Sequence, residues 1–404
     1  DWSGGSGQTA WSDTTKFSSS STTTTSTAGQ ATLPVNAEKL SNTGFETDLT
    51  SWQTGAAPDS ISGLTLWVDA GLSSLYQNSN GTTSASADGD PVGYISDLSG
   101  NGNHPIQATA GKRPLLKLTS NGINNLPALS VDAIDDFLRV TFGATYTQPN
   151  TIYAVASFGS TANHRYLYDG INCSNRQNLY ASITTGNLTA GGGSDISSTT
   201  PASGVQMLSH IASGTASTLR RNGTEIISAG GNAGTHTLTG ITAGAACNDT
   251  FSLGGKIGAI LVYSGAHTVA QQQALEAYIQ GRYGLSGGYA TLTRDTTTTY
   301  SSSAGSAKLV TGANATSFNQ YVNVGDTNTY NLSTYAYTTG AAVTSSDVEL
   351  FYNGSTVSTT YTSVGGGWYQ LTGTVTGANA SRQYGVQVKA NKTVYVDNFS
   401  LSNY

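Results

Sequence analysis

The chain has 404 residues, enough for two or three domains each with a core of its own, and only 10% of them are charged, against 49 Gly, 8 Pro and 22 Tyr. A net charge of -6 drawn from few charges of either sign leaves no basic stripe to neutralise phosphates, which argues against nucleic acid as a partner. No apolar run approaches the roughly 20 residues that cross a bilayer, so no membrane span is expected. Plentiful Thr, Val and Tyr between small-residue turns point to an all-β protein with a single helix. The chain opens on Asp1 without an apolar leader, and the expectation is a mature, secreted protein of the extracellular space or cell surface.

Residues 1–37 form a Ser/Thr-rich tail that cannot bury enough apolar surface alone. Thr favours strands and "QATLPV" alternates, so the tail is a candidate donor strand, with Trp2, Trp11, Phe17, Leu33 and Val35 as its apolar anchors. Residues 38–58 hold a turn at Asn42, Thr43 and Gly44, then Phe45 and Trp52, which suggests a strand and a returning loop. From about residue 60 to 285 strand-like segments follow one another. They end in a buried strand, Ile257 to Tyr263, and an amphipathic helix, Val269 to Tyr283. That helix is expected to place Ala270, Ala274, Leu275, Tyr278 and Ile279 on one face and to stop at Gly284. Residues 289–404 return to strands, with Asn353 and Gly354 between two alternating runs as a hairpin signal. Cys173 and Cys247 have no second ligand pair nearby. Either they form a disulfide, as an oxidising compartment favours, or they are two buried thiols.

The stretches "GLTLWVDAG", "DLSGNGNHPIQ", "INNLPALSVDAIDDFLRV" and "IGAILVYSGAHTVAQQQALEAYIQGRYGL" resemble the concanavalin A or laminin-G-like jelly-roll domains of bacterial and archaeal surface proteins. "NTGFETDLTSW", "SSAGSAKL", "GGGWYQLTGTVT" and "VYVDNFSLS" are similar to the carbohydrate-binding modules found beside xylanases and cellulases. The resemblance implies two jelly-roll-type β-sandwiches, one inserted into the other: residues 38–58 plus 289–404 as a discontinuous module, with residues 59–288 between. It also implies a structural calcium near the first and last strands of the module, with Glu46 and Asp397 as candidate oxygen ligands. The alternative for both is a solvated turn residue.

Catalytic patterns are thin. The glutamates Glu38, Glu46, Glu225, Glu276 and Glu349 supply no pair on one strand, as a jelly-roll glycosidase would need. The aspartates at Asp132, Asp135 and Asp136, and at Asp88 and Asp90, read as turn formers or as calcium ligands. Five scattered histidines give no metal pair on a helix. No catalytic residue is assigned, and the chain is expected not to be an enzyme. Aromatic side chains that could stack on sugar rings are available at Tyr335, Tyr337 and Trp368; alternation equally allows them to be core. The expected function is a structural subunit of a filament, sheath or surface layer that polymerises with itself through its tail. The alternative is a glycan-binding adhesin whose partner is a polysaccharide or cell-surface glycan.

Overall fold

The computed structural model describes residues 39–41, 43–45, 52–159, 164–285, 291–312, 314–340 and 342–403. The fold is nearly all β with one long helix, and the chain separates into two compact units. One combines the segment up to Thr54 with Leu292–Tyr404, and the other is Gly55–Thr291. The tail residues Trp2, Trp11, Phe17, Leu33 and Val35, and the candidate ligand Glu46, lie outside the described residues.

The discontinuous unit is a sandwich of two antiparallel sheets. In one, Gln53–Thr54 pairs with Thr316–Val322, followed by Arg382–Val388, Val348–Tyr352 and Ser355–Thr356. In the other the order is Thr291–Asp295, Ser306–Val310, Thr393–Asn403, Thr329–Thr338, Trp368–Thr376 and Thr360–Gly365. The turn between Val348–Tyr352 and Ser355–Thr356 has Asn353 at φ 43° and Gly354 at φ 89°, the left-handed pair that a two-residue hairpin requires.

Inward positions alternate along each strand, and Leu309, Phe318, Leu332, Ala336, Leu350, Val386 and Val396 are completely buried. Into this core the early segment inserts Phe45 and Trp52. Phe45 is also fully buried, and Trp52 lies 5.0 Å from Phe318 and 4.2 Å from Phe399, ring centre to ring centre. The Trp52 indole nitrogen donates to Ser41 O, and the Phe399 amide donates to Thr43 O. Gly305 has no side chain for a physical reason: a Cβ there would stand 2.4 Å from the Phe45 carbonyl oxygen.

The second unit stacks an eight-stranded sheet on a six-stranded one. The eight-stranded sheet is covered on both faces. Ile152, Ala154, Leu208, Ile260 and Val262 meet Leu167, Leu179, Leu188 and Ile241 of the other sheet, while Tyr153, Val155, Met207, Leu261 and Tyr263 pack under the helix. Double coverage explains the unbroken apolar runs "TIYAVAS" and "GAILVY". The helix spans Val269–Tyr283, opens with a capping box between Thr268 and Gln271 and ends at Gly284 in the left-handed region.

Its buried face overlaps the expected one in part: Leu275 and Ile279 are buried and Ala274 and Tyr278 half-buried. Ala270 is exposed, and the buried stripe runs through Gln272, Leu275, Glu276, Ile279, Gln280 and Tyr283. Glu276 can sit inside because Arg220 meets it with two nitrogens at 2.9 and 3.1 Å and Ser209 donates to it at 2.5 Å. Gly55 marks the boundary, since a Cβ on it would stand 2.0 Å from the helix carbonyl of Ala274.

Across the core of this unit Tyr168 and His210 meet, hydroxyl to Nδ1, at 2.8 Å, and both are buried. Burial lowers the His210 pKa from 6.5 to about 4. The folded protein therefore holds His210 neutral while the unfolded chain takes up a proton below pH 6.5. Stability is lost as pH falls from 6.5 towards 4, by on the order of 3 kcal/mol for this group. Urea midpoints measured over that range should fall, and His210→Gln should flatten the slope whatever it does to stability at neutral pH.

Trp52→Ala should cost about 3–5 kcal/mol in the unfolding of the discontinuous unit, as removal of a packed core aromatic does. Chemical denaturation checks this; a loss below about 1 kcal/mol, the size typical of an exposed site, would mean that the early segment is only a strap.

Candidate functional site

The outer face of the sheet that contains Thr329–Thr338 carries the candidate site. Along this strand Tyr330, Leu332, Thr334 and Ala336 turn to the core, so Tyr335 and Tyr337 share the opposite face and are half-buried there. Register then fixes their neighbours: Tyr335 lies opposite Asp397 and Gln370, and Tyr337 lies opposite Tyr395 and Trp368. The Tyr337 ring stands 5.5 Å from that of Trp368 and 5.8 Å from that of Tyr395. From the adjoining strand the ammonium of Lys308 sits 5.3 Å over the Tyr395 ring.

A fifth ring comes from outside the sheet. Tyr300, in the turn after Thr291–Asp295, stacks on Tyr335 at 3.8 Å with 14° between the planes, and lies 5.7 Å from Trp368. Asp397 holds that turn down. It is fully buried, and its carboxylate accepts from the Tyr300 amide at 2.9 Å, the Asn398 amide at 2.8 Å and the Ser303 hydroxyl at 3.3 Å. The three consecutive glycines Gly365, Gly366 and Gly367 all take positive φ, and a Cβ on Gly367 would come within 2.9 Å of the Tyr337 ring. The glycine turn thus seats itself against the aromatic row. Burial and the Tyr300 hydroxyl together raise the Tyr335 pKa.

Trp368 and Tyr395, each 7% exposed, flank Tyr337 on the same face, and Tyr300, Tyr335 and Tyr337 are its half-buried rings that a ligand could reach. The arrangement offers flat apolar surfaces beside the amide of Gln370 and the hydroxyls of Ser333 and Thr372, which is the combination that binds the CH faces and rim hydroxyls of sugars. As for calcium, the Asp397 carboxylate accepts from the Tyr300 and Asn398 amides, the one Ser303 hydroxyl proton is shared among oxygens of Asp397, Gly44 and Gly305, and the Phe45 carbonyl accepts from Arg294. Glu46, the other residue the resemblance implies as a calcium ligand, lies outside the described residues.

The remaining candidates are spread through the second unit. Asp132 accepts from the amides of Ile134, Asp135 and Asp136, and Asp90 from those of Ser86 and Ala87, so these residues shape turns. Burial, with the neighbouring Asp132 and Asp135 charges, raises Asp136 to about 6. Glu349 pairs with Lys389. Cys173 and Cys247 are joined in a disulfide with Cα atoms 5.4 Å apart. Sequence reasoning did not single out Tyr300 and Tyr395. Tyr395 was detectable, because Val394 and Val396 on either side of it are inward-facing; Tyr300 lies in a turn of Thr and Ser with no period to follow.

No protein-family model matches the chain, and no curated protein does. Among solved structures it is similar to a Trypanosoma rangeli sialidase in complex with sialic acid, at 11% identity and a TM-score of 0.38, over 57% of this chain and 36% of that one. It is also similar to domain 4 of a GH43 extracellular arabinanase from Geobacillus stearothermophilus in complex with arabinotriose, at 16% identity and a TM-score of 0.37, over 53% of this chain and 98% of that one. A third is the CBM40 of Ruminococcus gnavus IT-sialidase bound to α2,6-sialyllactose, at 12% identity and a TM-score of 0.26, over 33% of this chain and 84% of that one. The match spans about a third of the sialidase's own length. These neighbours come from carbohydrate-binding and glycoside-active proteins, and they correct the expectation that the chain is not an enzyme. Motifs absent from a sequence are no ground for that exclusion, since one fold hosts many chemistries.

Proposed function

We propose that the chain is an extracellular glycan-binding protein whose ligand lies on the aromatic face of the discontinuous unit. The observation that carries this is the half-exposed placement of Tyr300, Tyr335 and Tyr337 on one side of a sheet whose other side already holds a complete core. Rings needed only for stability would be turned inward with Leu332 and Ala336. Instead they stand outside, braced by Trp368 and Tyr395 and fixed by the Asp397 anchor, so their surfaces are presented before a ligand arrives. Self-assembly through the tail has no support from the described residues.

The reading separates the rings by role. Tyr335→Ala combined with Tyr337→Ala should weaken glycan binding roughly thirtyfold, about 2 kcal/mol, while leaving the melting temperature nearly unchanged. Trp368→Ala should lower the melting temperature. A glycan array followed by calorimetry on the best ligand measures the first, and scanning calorimetry the second. A double tyrosine variant that melts early yet binds normally would make those rings core rather than contact surface.

Asp397→Ala should release the Tyr300 turn and cost about 1–3 kcal/mol through the orphaned donors. Hydrogen exchange over residues 296–304 is the direct readout, and faster exchange there is expected together with weaker glycan binding.

A further inference from the structure

The second unit carries a separate aromatic and charged strip on the outer face of its six-stranded sheet. Tyr166 and Tyr180, which face each other across paired strands, stack at 4.6 Å with 17° between their planes. Phe251 continues the stack, 6.3 Å from Tyr166 and 26° from parallel, and His164 meets the Phe251 ring edge-on at 5.6 Å. Phe251 is 41% exposed and adopts φ 56°, a conformation that costs free energy for a bulky side chain. An apolar ring is therefore held in solvent, on a strained backbone, where core packing does not require it.

Charged groups meet the stack, with the Arg176 guanidinium 5.9 Å over the Tyr166 ring. The Tyr180 hydroxyl donates to Asp195 at 2.8 Å. Arg176 pairs with the buried Asp169 at 2.5 Å, and its guanidinium also reaches Cys247 Sγ at 3.0 Å. Arg139 pairs with Asp249 at 2.5 Å and donates to the Cys247 carbonyl at 2.9 Å. The disulfide fixes the loop from which Asp249 and Phe251 project.

We infer that this strip is a second carbohydrate-binding site, for an uncharged sugar. Phe251 supplies the stacking surface. Asp195 and Asp249 accept sugar hydroxyls, and Arg139 and Arg176 donate to sugar oxygens. Both charge classes are disfavoured: each guanidinium is already neutralised by its own carboxylate while Asp195 remains in excess against an anion, and the two guanidinium groups stand in the way of a cation. The site is independent of the tyrosine face of the other unit, so the chain would bind two sugars.

The experiment uses the full chain carrying Tyr335→Ala and Tyr337→Ala, titrated by calorimetry and saturation-transfer NMR with arabinotriose, xylotriose, cellotriose, maltotriose and sialyllactose. At least one neutral trisaccharide should bind this variant, and adding Phe251→Gly, which relieves the positive φ, should weaken it by about tenfold or more. Asp195→Ala should weaken it as well. No binding by any of the five sugars, binding indifferent to Phe251→Gly, or preference for sialyllactose at this site would overturn the inference. Should the double tyrosine variant bind as many sugars as the wild type, the first site fails while this one stands.

Discussion

Four rings from three distant stretches of chain, Phe45, Trp52, Phe318 and Phe399, close the core of the discontinuous unit, with centre-to-centre distances from 4.2 to 6.0 Å. Everything else in that unit depends on this cluster. The strand Gln53–Thr54 can pair with Thr316–Val322 only if the early segment is held there, and the chain leaves at Thr54 and returns at Leu292 with a complete second unit in between. The contact is long-range and slow to form, since its loop closes over the whole second unit. It is also strong enough, at several buried aromatic side chains, to hold a segment too short to fold alone.

A finished core frees the outer face for other work. Because inward positions already satisfy packing, the outward tyrosines of Thr329–Thr338 are under no packing demand. Their orientation is instead fixed by neighbours: Trp368 and Tyr395 on the two flanking strands, the glycine turn beside Tyr337, and the Asp397-anchored Tyr300 stacked on Tyr335. The second unit arrives at a similar result by another route. Its eight-stranded sheet spends both faces on burial, so only the six-stranded sheet has an outer face to carry exposed aromatic and charged groups.

Much of the fold was legible in the sequence. The period and caps of Val269–Tyr283 and the Asn353, Gly354 turn are local signals, and local signals survive folding. The helix face was read in part: Leu275 and Ile279 are buried as expected, but counting apolar residues alone misses Glu276, which is buried by virtue of an arginine fifty-six positions away. The site was half legible. Alternation places Tyr335 and Tyr337 together but does not say on which side; Leu332 and Ala336 decide it by being core. Tyr300 and the strip around Phe251 depend on strand pairing and turn geometry, which no short-range pattern encodes. The exclusion of enzymatic activity was the weakest inference, because it rested on motifs not found.

The central claim is that the outward tyrosines are a glycan-binding surface. Hydrogen–deuterium exchange of the wild-type chain, with and without the glycan that binds it best on an array, tests this most directly. The account predicts added protection in Thr329–Thr338 and in the turn that carries Tyr300. Saturating glycan that leaves both segments unprotected would contradict it.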